Sequence, residues 1–211
     1  MKLAIIGNSA DVAFREKGVA IDSCDFVIRI NSFRTRGMER FVGSRTDIVS
    51  ICLAPWVVAN ALSTAARTLA RVPCVWTPSW RGHAEDHEVE NAMRVIGHDS
   101  QSLVFSDDTG HADHVKSLYR SFYERANARP GEKTQAPDGK RLLPTTGFLT
   151  VHLARMRYPG AEIYISGFGL DSELNLRRFD ESDVSMWPGH DIPTEREWLF
   201  ESAAAGLWRL L

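Results

Sequence analysis

Leu3-Ala4-Ile5-Ile6-Gly7-Asn8-Ser9 is the stretch on which the fold turns. Four apolar residues in a row, cut short by glycine, read as a short strand buried on both faces and ending in a tight turn. Asp11–Lys17 can continue as a helix. A doubly buried strand followed by a helix is the opening unit of a parallel sheet, because the helix must cover the face the strand leaves apolar.

The same unit recurs downstream. Phe26–Ile30 reads as a second strand and Asp47–Leu53 as a third, with a helical pattern after it over Trp56–Leu69. Pro73–Thr77 is a fourth. Glu85–Ile96 and Ala112–Arg125 pattern as helices, with a short strand at Leu103–Phe105 between them. Arg129–Lys140 carries two Pro and two Gly without apolar periodicity and reads as an exposed loop, an acceptor-side lid on this expectation. Thr146–Met156 is helical, Glu162–Ser166 is a regular buried strand, and 170–189 has no clear period. A last helix is expected from about Glu195 to the C-terminus, with Thr194 and Glu197 as a capping box. The class that follows is α/β: one domain over 1–211, a mostly parallel sheet, helices on both faces. Ligands of such sheets bind beyond the carboxyl ends of the strands, where Gly7–Ser9, Asn31–Arg34 and Gly167–Asp171 fall.

Bulk chemistry narrows the partners. A net charge of −2 supplies no general field for nucleic acid, so an anion site must be local. No run of 18 apolar residues occurs, and the apolar opening is too short for a secretion signal. Cys24, Cys52 and Cys74 have no metal-ligand spacing and suit reduced thiols, so the cytoplasm is expected.

Gly7-Asn8-Ser9 lets backbone approach a ligand, offers amides at a helix start, and adds Asn8 as a side-chain donor. Alone it is also an ordinary turn, and the Gly-x-Gly-x-x-Gly dinucleotide fingerprint is absent. The wider pattern is more specific: Ile21-Asp22-Ser23-Cys24-Asp25-Phe26-Val27-Ile28-Arg29-Ile30-Asn31, then Val42-Gly43-Ser44-Arg45-Thr46. In order and spacing it resembles the large sialyl motif of the sialyltransferases, glycosyltransferase family 29. Leu143-Pro144-Thr145-Thr146-Gly147-Phe148, continuing to Ile165-Ser166-Gly167-Phe168-Gly169, resembles the small motif. Thr145 or Thr146 capping a helix is the plainer account of that start, and both hold together. His190-Asp191-x-x-x-Glu195 resembles the very small motif. The resemblance covers about Leu3–Arg45 and Leu143–Arg209. It departs from the family in lacking the motif-linking cysteines of the animal enzymes, their anchor and stem, and the aromatic-histidine motif, whose place Phe179–Trp187 holds without His or Tyr.

The resemblance implies a Rossmann-like variant of the GT-A glycosyltransferase fold, with donor motifs in 3–46 and 143–169 and a catalytic loop and last helix in 187–211. It implies an inverting, metal-independent transfer of sialic acid from CMP-sialic acid, a substrate rather than a cofactor, to a glycan or lipooligosaccharide-like acceptor, at the periphery of a membrane surface. No Asp-x-Asp pair sits at a strand end, and Asp107-Asp108 are adjacent rather than spaced. Carried across by position, Gly7, Asn8, Ser9 and Asn31 contact CMP. Thr145, Thr146 and Gly147 line the ribose or carboxylate side, and Gly167, Phe168 and Gly169 cradle the cytidine. His190 is the general base, and Glu195 orients a group near it. Arg29 and Arg45 are donor-carboxylate candidates, with structural ion pairing the stronger reading. A CMP-Kdo-dependent transferase and a non-catalytic CMP-sugar-binding protein are the alternatives, and a nicotinamide enzyme is disfavoured by the missing fingerprint.

Overall fold

β1 (Lys2–Ile6) lies inside the sheet, with β2 (Phe26–Ile30) on one side and β6 (Glu162–Ser166) on the other, both parallel to it. The computed structural model describes residues 1–83, 103–128, 142–170 and 189–211, with His87, Glu90 and Arg94. Among these residues the sheet continues outward through β3 (Ile48–Ser50), β4 (Cys74–Trp76) and β5 (Leu103–Val104) on the β2 side. β7 (Arg209–Leu210) flanks β6, so the order is β5-β4-β3-β2-β1-β6-β7 and every pairing is parallel. The chain runs out from β1 to β5 and then returns to the far side of β1. The order therefore reverses between β1 and β6, which is where open α/β sheets bind ligands.

Alternation along the strands sorts the core. Leu3, Ile5, Ile28, Ile163 and Ile165 face one side and pack with α4 (Ala112–Asn127), α5 (Thr146–Arg157) and α6 (Ile192–Ala204) through Val115, Phe122, Phe148 and Leu199. Ala4, Ile6 and Val27 face the other side, against α1 (Gly18–Asp22) and α2 (Glu39–Val42). Val49 and Val75 lie under α3 (Pro55–Leu69). Helices on both faces and an all-parallel sheet agree with the expected class.

Three local expectations are corrected. Asp11–Lys17 is not a helix: a 3-10 turn occupies Ala10–Ala13 and α1 starts at Gly18. The cause is Asp11, whose buried carboxylate turns inward to accept the Gly169 N–H at 3.1 Å. α6 begins at Ile192, and its cap is Asp191, not Thr194: Asp191 accepts from the Thr194 N–H (3.1 Å) and hydroxyl (2.7 Å). That helix also stops at Ala204, Gly206 being left-handed (φ +74°), and the chain goes on into β7. Asp107 and Asp108 form a 3-10 turn with Thr109, where Asp108 binds the Arg81 guanidinium at 2.9 Å and the Phe105 N–H at 2.8 Å. The 129–140 loop, most of 85–96 and the 179–187 segment lie outside the described residues; His87, Glu90 and Arg94 are helical.

Candidate active site

The turns after β1 and β6 meet over the point of reversal. Gly7 N–H donates to the Ser166 carbonyl (2.8 Å), and Ser9 N–H to the Gly167 carbonyl (2.9 Å). A Cβ on Gly7 would stand 2.3 Å from the Gly167 carbonyl oxygen, and one on Gly167, whose φ is +77°, 2.6 Å from that of Gly7. Gly7 is thus needed first so that two pieces of protein backbone can touch.

The asparagines are built into the frame as well. Both Asn8 Nδ2 hydrogens go to protein, to the carbonyls of Ile30 and Ser32 (2.7 Å each). What Asn8 can offer a ligand is its carbonyl oxygen, an acceptor rather than the donor expected. Asn31 sits at φ +50°, a conformation asparagine tolerates, and its Oδ1 accepts from the Cys52 N–H at 2.9 Å. Its amide hydrogens are the part that can face a ligand.

α5 starts at Thr145, whose Oγ1 accepts from the Phe148 N–H at 3.1 Å. The Thr145 N–H and hydroxyl both bond to the Glu195 carboxyl, the hydroxyl at 2.8 Å. Glu195 is 5% exposed, and burial pushes its pKa up to about 8 against the lowering effect of the Thr145 bonds, with Asp191 adding to the rise. At neutral pH it is therefore mostly a neutral acid clamping Thr145. His190 pairs with Leu143 by a parallel bridge, and its Nδ1 lies 2.8 Å from the Leu143 carbonyl. A carbonyl only accepts, so Nδ1 carries the hydrogen, leaving Nε2 as the basic nitrogen of the neutral ring. Burial lowers its pKa, partly offset by the Leu143 bond, so the neutral ring prevails near pH 7.

These parts surround one cavity of about 190 Å³. Gly7, Asn8, Ser9, Asn31, Thr145, Thr146, Gly147, Gly167, Phe168, His190 and Glu195 all line it. Gly169 does not: its N–H is spent on Asp11 behind the wall. Among the described residues no cluster of three His, Cys, Asp or Glu is arranged as metal ligands.

The model of glycosyltransferase family 29 (sialyltransferase) matches residues 2–201. The chain belongs to this sialyltransferase family. Its curated relatives include the CMP-N-acetylneuraminate-beta-galactosamide-alpha-2,3-sialyltransferases 1 of Homo sapiens (25% identical over 205 residues, 87% of this chain and 49% of the relative) and Pan troglodytes (24%, same coverage). The chain spans about half the length of these relatives. In fold it matches a mammalian sialyltransferase crystal structure (TM-score 0.63, 19% identity, 100% of this chain and 68% of the other). It also matches Campylobacter jejuni CstII solved with the substrate analogue CMP-3FNeuAc (0.58, 13%, 100% and 80%).

Within this family frame the large motif divides into two jobs. Asn8 and Asn31 reach the cavity. Arg29, 1% exposed, donates instead to the carbonyls of Val42, Gly43 and Arg45 and to the Thr46 hydroxyl. Burial lowers its pKa to about 10, and Asp22 and Asp47 hold it up. Arg45 pairs with Asp47 at 3.0 Å and donates to the Cys24 carbonyl. Asp22 accepts from the Ser44 and Arg45 N–H groups, which fastens α1 to the Val42–Thr46 turn. Both arginines are scaffold, Arg45 through the expected ion pair and Arg29 through hydrogen bonds to carbonyls and a hydroxyl.

Sequence reasoning missed Trp56, Asn60, Ile192 and Arg196, which also line the cavity. The available signal was position: Pro55-Trp56 opens the helix directly after β3, at the ligand-binding edge. His152 is sealed among Phe148, Trp198 and Trp208, where burial drives its pKa to about 4. His114 is exposed on α4 and does not line the cavity.

Proposed function

We propose that the protein transfers sialic acid from CMP-sialic acid to a glycan hydroxyl, with inversion and without a metal, and that His190 is the general base. The observation that carries this reading is the convergence of all three motifs on one cavity at the β1/β6 reversal, with His190 held as the Nδ1–H tautomer. His190 Nε2 takes the acceptor hydroxyl proton as the new bond to C2 of the sugar forms and the bond from C2 to the phosphate oxygen breaks. CMP leaves with the bonding pair, its charge offset by hydroxyl and amide groups at the start of α5. Glu195 acts through Thr145, fixing that helix start, and is a positioning residue. The curated relatives' names carry a beta-galactosamide acceptor, and a galactose-bearing glycan is the acceptor class proposed here. That none of the three cysteines forms a disulfide supports a cytoplasmic location, and a lipid-borne acceptor would bring the protein to a membrane periphery.

The test is an assay with CMP-sialic acid or CMP-Kdo and lactose, with and without excess EDTA. Sialyl-lactose formed equally with and without chelator supports the reading. Turnover of CMP-Kdo alone assigns the other donor, chelator-sensitive turnover overturns metal independence, and CMP binding without turnover of either donor leaves only a binding protein.

A further inference from the structure

Besides the Gly7–Ser9 and Gly167–Phe168 turns, the cavity is lined by residues from the first two turns of α3 and α6. Two residues four apart come from each helix, Trp56 with Asn60 and Ile192 with Arg196, and such pairs share a helix face. Trp56 is 58% exposed, while its neighbours Val57 and Val58 are buried in the core. An indole left largely in water contributes little to the fold, since the stabilisation from burying its apolar area is forgone. In a cavity lining that also holds the Asn60 amide and the Arg196 side chain, it gives the composition of a recognition surface: one apolar plate with a few polar groups. Pyranose rings suit such a plate, because their axial C–H groups form an apolar patch while their hydroxyls point outward to polar partners. His190, the proposed base, lines the same cavity.

We propose that Trp56 is the platform of an acceptor-sugar subsite, on which the terminal pyranose of the acceptor stacks while Asn60 and Arg196 meet its hydroxyls. This rests on the transferase reading above, but its test separates from it. Trp56→Ala and Trp56→Phe remove or trim an exposed side chain without opening the core. For Trp56→Ala, the KM for lactose should rise about tenfold or more, whereas Trp56→Phe should restore most of the loss. CMP affinity by calorimetry, the donor KM and the slow hydrolysis of donor without acceptor should each stay within about twofold. A fall in CMP affinity would mean that the indole stacks on the cytosine instead, and an unchanged lactose KM would mean that it contacts neither substrate; either overturns the subsite. If the wild type turns over no CMP-sugar, the transferase reading fails by itself. The subsite is then read by saturation-transfer NMR of lactose in the presence of CMP. A signal from wild type and Trp56→Phe but not from Trp56→Ala upholds it, and equal or absent signals in all three refute it.

Discussion

The two walls of the cavity are made differently. The β1/β6 wall is mostly backbone: Gly7 and Gly167 touch, and Asn8 and Asn31 spend half of their amide groups on protein carbonyls and N–H groups. The α3/α6 wall is made of side chains on helices whose inner faces are ordinary core. A wall of interlocked backbone tolerates few substitutions, which on the proposed function suits the donor, the same at every turnover. A wall of projecting side chains can change without cost to the fold, and suits the partner that distinguishes one transferase from another.

Substitutions can break this contrast, and the largest effect is expected at the proposed base. His190→Ala should lower kcat about 10²–10⁴-fold while CMP still binds. In the wild type, kcat should fall on the acid side only below the ordinary histidine value of 6.5, because burial lowers the His190 pKa. An acid limb at or above that value would count against His190 as the base. On the backbone wall, Gly7→Ala must displace the Gly167 carbonyl and should cost about 1–3 kcal/mol in urea denaturation, with weakened CMP binding; full stability would show that the two turns are not interlocked.

Asn8→Ala should lose stability as well as CMP affinity, since the carbonyls of Ile30 and buried Ser32 lose a partner, about 1–3 kcal/mol. Asn31→Gly keeps the left-handed backbone and loses the bond to the Cys52 N–H, about 0.5–1.5 kcal/mol. Loss of CMP affinity with no loss of stability in both would make the asparagines ligand groups alone. The smallest effect is expected from Glu195→Gln. The folded-state pKa of Glu195 is raised, so its favourable contribution is complete below 4.5 and is lost as pH rises through about 8. The amide should remove that decline with little change at pH 5; equal urea midpoints for both proteins at pH 5 and 8 would rule it out.

The same contrast explains what the sequence made legible. Doubly buried strands show as unbroken apolar runs, so β1, β2 and β6 were plain, and the glycine turns after them marked the backbone wall. What escaped depends on tertiary partners. Asp11 abandons a local helix for the Gly169 N–H. Asp191 outcompetes Thr194 as a cap because its carboxylate accepts two bonds. The acceptor of Asn8 was mistaken for a donor because Ile30 and Ser32 are remote in sequence and take both hydrogens. Trp56 reads as one more apolar residue in a helical pattern until the sheet places that helix end at the ligand edge.

The position of β1 also sets the order of assembly. Its partner β2 is about twenty residues away, whereas β6 follows only at Glu162–Ser166. On a ribosome, β1 to β5 can begin to pair while one edge of β1 still waits for its neighbour. Closing that edge is the long-range, slow step. Because the cavity lies across that seam, the nascent chain has no complete cavity until the sheet is closed, and on the function proposed above capture of CMP would report the arrival of β6.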